Sequence, residues 1–158
     1  MLGFPRVINE KAARTVAGVV ALAGVIALAT GAHWLLVPLA YGFWARVLAG
    51  PRFSPLAQLA TKVVAPRLGP PRDVAGPPKR FAQGMGAGIT TLGVVALALG
   101  WSTVTSVLLA ALVVAATLEA ALGLCIGCRI FGLLIRTGIV PERVCLECAD
   151  VSARLQRV

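Results

Sequence analysis

Acidic side chains are nearly missing from this chain: its 158 residues hold six Asp and Glu against fifteen Lys and Arg, with a single histidine. Charge of either sign is thin at 13 % of residues, while 58 % are hydrophobic. A soluble domain of this length needs a polar surface that such a composition cannot supply, so the chain reads as a protein of the lipid bilayer. His33 stands far in sequence from every cysteine, which leaves no Cys/His nucleophile pair and no mixed Cys-His ligand set within one subunit. No GxxxxGK[ST], HExxH or GxSxG sequence occurs, and the common nucleotide-binding and hydrolase readings fall away.

What is present is apolar. Residues 15–45, 81–118 and 120–128 contain no Asp, Glu, Lys or Arg. Turn residues at Gly31 and Gly100 divide the first two runs, so four helices are expected, near 13–30, 33–48, 81–99 and 103–124. The second contains Pro38 and Gly42 and meets Arg46, so a kinked or re-entrant segment is the alternative there. The expected fold is therefore an all-α integral membrane protein, two helical hairpins over residues 1–124 followed by a cysteine-rich tail over 125–158.

Under this arrangement all fifteen Lys and Arg fall on one side, which the positive-inside rule makes the cytoplasm. Both termini and the Pro-rich connection 49–80 are expected there. The small-x-small sequence Ala27-Leu28-Ala29 also suits a signal peptide, but the apolar run continues almost directly into the next one, and an uncleaved helix is expected. The net charge of +9 invites a nucleic-acid partner, yet the basic residues flank apolar runs instead of lining one face. Anionic lipid is the expected partner, with no nucleic acid.

Residues 18–24 and 93–99 share a Gly-Val-Val-Ala-Leu-Ala sequence, which suggests a parallel duplication of the hairpin. Gly84, Gly86 and Gly88 lack the third glycine of a phosphate loop, and a close helix contact at Gly84 and Gly88 is expected instead. Residues 53–64 suit a short amphipathic helix on the membrane surface, and Trp34 and Trp101 an interfacial aromatic belt.

All four cysteines lie in the tail as two CxxC pairs, Cys125/Cys128 and Cys145/Cys148, with sixteen residues between them. This spacing suits a four-thiolate zinc site, the first reading; the same ligands could hold iron. The alternative is a thiol-disulfide oxidoreductase or sulfur-transfer subunit working through Cys125 and Cys128, with a thioredoxin-like or sulfur-transfer protein as partner. A transporter built on the hairpin repeat is a third reading, and self-association is open. On a continuous helix Cys125 and Cys128 would share a face, with Arg129 and Arg136 on the Cys125 stripe to favour thiolate. Glu119, an acid inside an apolar run, is a candidate proton or polar site. On a straight helix Cys125 lies about 120° around from it, so contact requires a break, for which Gly123 and Gly127 are candidates.

Arg80-Phe81-Ala82-Gln83, the Arg67-Leu68-Gly69-Pro70-Pro71 elbow and Cys125-Ile126-Gly127-Cys128 together resemble a bacterial membrane family, domain of unknown function 4395, with an RFAQ and CxGC signature. The resemblance covers most of the chain up to Cys128. It implies a multi-pass protein of the bacterial inner membrane and no established activity. Some members extend into a second pair like Cys145/Cys148 and others stop near the first. If only the first pair is shared, a dithiol role gains over a metal site.

Overall fold

The computed structural model describes residues 7–141. Strand β1 (Val7–Asn9) leads into α1 (Glu10–Thr30), whose first turn is capped by Asn9, its Oδ1 accepting the Lys11 N–H at 3.0 Å. Gly31 (φ 72) ends α1, and a 3-10 turn, His33–Leu35, starts α2 (Leu36–Ala49). A second 3-10 turn, Gly50–Arg52, precedes α3 (Pro55–Leu59), a π-helical turn (Ala60–Val64) and α4 (Ala65–Arg67). Strand β2 (Asp73–Ala75) opens α5 (Gly76–Ala98); α6 (Ser102–Leu122) and α7 (Ile126–Arg136) follow.

Three helices, α1, α5 and α6, are long and apolar enough to cross a membrane. Their outward side chains, among them Leu22, Leu92, Val107 and Val114, are large, apolar and exposed, as a lipid-facing surface requires. The expected second span is shorter than its apolar run. Its 14 helical residues reach about 21 Å, against a hydrocarbon core of about 30 Å.

The strands settle direction. β1 pairs antiparallel with β2, Ile8 opposite Val74, so α1 and α5 both start from one end, and α2 brings the chain back to it. That is the basic end of the molecule. The two expected hairpins do not pack mainly on themselves: α1 lies chiefly against α6 and α2 against α5, while α5 also contacts α6 and α7. The halves nevertheless follow one plan, strand, long helix, returning helix, short helix. The α3–α4 segment lies on α1 as α7 lies on α5. Ser54, Ala57, Ala60 and Ala65 are buried, while Phe53, Leu59 and Val63 stay exposed, so this segment has one covered face and one apolar outer face.

Small residues set the helix spacing, though not where expected. Nothing approaches a Cβ built at Gly84 or Gly88, whereas one at Gly86 would lie 2.3 Å from the Phe43 ring and one at Gly24 2.4 Å from Val113. Gly86 therefore brings α2 onto α5, and the expected Gly84/Gly88 contact is corrected to it. Buried Thr90 donates to the Gly86 carbonyl at 2.7 Å and Thr105 to that of Trp101 at 3.0 Å, so neither hydroxyl is left unbonded in the core. At the far end His33 Nε2 sits 3.2 Å from Ser106 Oγ, and Trp34 and Trp101 are exposed, in keeping with an interfacial belt.

Candidate functional site

The site is built where α6 stops. Gly123 takes a left-handed φ of 67 and turns its N–H back to the Glu119 carbonyl at 3.0 Å. Arg14 closes the same helix end from α1: its Nε and Nη2 donate to the Ala120 carbonyl, and Nη2 to that of Ala121 at 2.8 Å. A guanidinium there satisfies carbonyls that have no partner within the helix and complements the negative end of its dipole.

The chain then restarts immediately. Cys125, in extended conformation, is the N-cap residue of α7, and Cys128 is the third residue of that helix. The expectation of a helix running through both cysteines is corrected, because Gly123 breaks α6 first. The break required for Glu119 to approach the thiols is therefore present, and the pair straddles a helix start. Cys125 is buried and Cys128 half-buried, both free thiols.

Helix α7 is held on α5 by contacts between the Cys125–Cys128 and Arg80–Gln83 segments. A Cβ on Gly127 would lie 2.5 Å from that of Ala82, so the glycine of CxGC lets α7 reach the RFAQ segment. The Phe81 and Phe131 rings pack at a tilt of 48° with centroids 5.6 Å apart. Gln83 Oε1 accepts from Arg46 Nε at 2.8 Å, and Arg80 Nε donates to the Val47 carbonyl at 3.2 Å. RFAQ thus ties α2 and α7 to the start of α5.

Two charged side chains that meet here are Lys79, 6 % exposed, and Glu119, which form an ion pair. The field of both reaches Cys125 and Cys128. The Cys128 side chain, as donor to the Cys125 sulfur, lowers the Cys125 thiol to about 7, with help from the Lys79 ammonium and against burial and Glu119. The same contact, with burial, pushes the Cys128 thiol up. Two thiols this close favour one thiolate stabilised by its neighbour's proton over two thiolates.

Two cavities flank the thiols. An open one of about 390 Å3 at the basic end is lined by both cysteines, Lys79, Glu10 and Arg129. An inner one of about 80 Å3, between α1, α2, α5 and α6, is lined by Cys125, Glu119, Arg46 and Gln83 among apolar neighbours.

Of the residues expected from sequence, the fold brings Glu119, Cys125, Cys128 and Arg129 together. Arg129 is exposed at the rim of the open cavity, and Arg136 is exposed in the last turn of α7. Cys145 and Cys148, the other half of the expected zinc set, lie outside the described residues. Among the described residues no three His, Cys, Asp or Glu side chains gather as a ligand set. In the sequence Lys79 and Arg46 look like the other basic residues that flank apolar runs. Their clue was position: Lys79 stands beside RFAQ, and Arg46 lies inside an otherwise apolar helix.

No curated protein and no solved structure matches the chain. A family model described as Domain of unknown function (DUF4395) matches residues 8–136, and the chain belongs to that family.

Proposed function

We propose that this protein is a membrane thiol-disulfide oxidoreductase in which Cys125 attacks and Cys128 resolves. The observation that carries the reading is the placement of Cys125 at the N-cap of α7 with Cys128 one turn on and the buried Lys79 ammonium beside them. A helix start and a nearby cation both favour thiolate, the form that exchanges with disulfides. The Cys125 thiolate attacks a partner disulfide; a sulfur-sulfur bond forms to one partner sulfur, and the other leaves as thiolate. Cys128 then loses its proton to solvent in the open cavity and attacks the Cys125 sulfur. An intramolecular disulfide forms, and the second partner sulfur departs with the electron pair. The dithiol is oxidised by two electrons and the partner reduced by two; a second protein bearing a dithiol regenerates it by the reverse exchange, its own two thiols becoming a disulfide as Cys125 and Cys128 are reduced.

The partner is a thioredoxin-like or other dithiol protein reached from the basic end. We assign that end to the cytoplasm of a bacterial inner membrane, supported by the one-sided Lys and Arg distribution and by the family resemblance. The helix α2 is taken as a fourth, short crossing, supported by the common starting end of α1 and α5.

The test is trapping. Cys128→Ser should accumulate a mixed disulfide on Cys125, and Cys125→Ser should not. Protein purified without chelator that carries about one zinc per chain, lost equally on replacing Cys125, Cys128, Cys145 or Cys148, would overturn this reading in favour of a zinc clip.

A further inference from the structure

Arg46 is 6 % exposed, and among the described residues no carboxylate lies within ion-pair distance of it. Its Nε donates to Gln83, its Nη1 lies 3.4 Å from Ser54 Oγ, and its guanidinium carbon sits 4.6 Å from the centroid of the Phe43 ring. These partners use fewer N–H donors than a guanidinium carries. Glu119 acts on Arg46 through space, but its carboxylate is paired with Lys79. Two buried cations thus face one carboxylate, leaving one positive charge uncompensated where charge is expensive to bury. The guanidinium lines the inner cavity of about 80 Å3 and a second of about 50 Å3 toward α1 and α3.

We propose that the inner cavity is a binding site for one small monovalent anion, held by Arg46. Its size suits an ion of a few heavy atoms, since a single water needs roughly 10–15 Å3 of such space. The anion supplies the missing negative charge and accepts the unused guanidinium donors. Cys125 lines the same cavity, so a thiolate there supplies that charge itself and competes with the anion. Forming the Cys125–Cys128 disulfide removes the thiolate and frees the site. The competition rests on the nucleophile reading of Cys125; the Arg46 site does not.

The probe is thiocyanate, titrated calorimetrically into detergent-solubilised full-length protein. Cys125→Ser, which cannot form a thiolate at that position, should bind one ion per chain saturably. Adding Arg46→Gln should weaken binding at least tenfold, and Arg46→Lys less. Adding Glu119→Gln should tighten it several-fold, because a negative charge leaves the cluster while Arg46 stays in place. Absence of saturable binding, or affinities unmoved by both the Arg46 and Glu119 changes, would overturn the site. Reduced wild-type protein above pH of about 7 should bind more weakly than Cys125→Ser. Equal affinity would overturn the competition, while alkylation of Cys125 judges the nucleophile separately.

Discussion

The two halves of the chain both end their returning helices on a glycine of positive φ and then place different chemistry after it. At the end of α2, Gly50 (φ 63) returns its N–H to the carbonyl of Arg46; at the end of α6, Gly123 (φ 67) returns its N–H to that of Glu119. A short helix follows in each case. Ser54 caps α3, its hydroxyl accepting the Ala57 N–H, whereas Cys125 holds the same place on α7 without a side-chain cap bond. The first half thus spends its N-cap residue on structure. The second half gives that position to a thiol, a poorer cap, and sets an acid where the first half has a cation. Helix scaffolding alone therefore does not make the site; it arises from a thiol at a helix start beside the buried Lys79 and Arg46 and the half-buried Glu119.

The largest expected effect comes from breaking that charge set. Glu119→Leu leaves the Lys79 ammonium buried without its partner, and a loss of about 3–5 kcal/mol is expected for stripping one member of a buried pair. Thermal unfolding in detergent against Arg129→Leu, an exposed control at the rim, measures it. A loss below about 1 kcal/mol would show that water reaches the pair and that the halves differ less than described.

Next is Gly127→Ala, at the position after the cap residue's neighbour, where the first half has Leu56. The added methyl meets Ala82, so about 1–3 kcal/mol should be lost as α7 is pushed off α5. Gly88→Ala, with open space around it, should cost nothing and through better helix propensity should gain up to about 1 kcal/mol. Equal effects at the two glycines would contradict the docking of α7. Ser54→Ala should cost about 1 kcal/mol by uncapping α3, with the loss of an Arg46 partner added to it.

The smallest stability change is expected for Cys125→Ser, which makes the second half resemble the first. Serine is the better cap, so stability should hold within about 1 kcal/mol while disulfide exchange disappears. A large destabilisation instead would mark Cys125 as a structural residue.

The long helices were legible in the sequence because α1, α5 and α6 are continuous apolar runs bounded by glycine turns at Gly31, Gly100 and Gly123. Their pairing was not: an apolar stripe says that a face is covered and does not name the partner, so the Gly84/Gly88 expectation missed Gly86, where Phe43 sits. The strands escaped notice because three residues each, Val7–Asn9 and Asp73–Ala75, are too short to show alternation. At the site, the CxxC spacing exposed Cys125 and Cys128, and the rarity of acids exposed Glu119. Lys79 and Arg46 were hidden among fifteen basic residues, since burial is a tertiary property and a lysine at a membrane edge looks the same whether it snorkels or turns inward.

The central claim is that Cys125 is the thiolate of an unequal pair, and the rate of iodoacetamide alkylation against pH, read by peptide mass on reduced full-length protein, tests it most directly. Lowering a thiol's pKa keeps the reactive form present down to the lowered value, so Cys125 modification should rise through a midpoint of about 7, with Cys128 resisting across the neutral range. Two cysteines modified alike, with midpoints near the ordinary thiol value of about 8.5, would contradict the account.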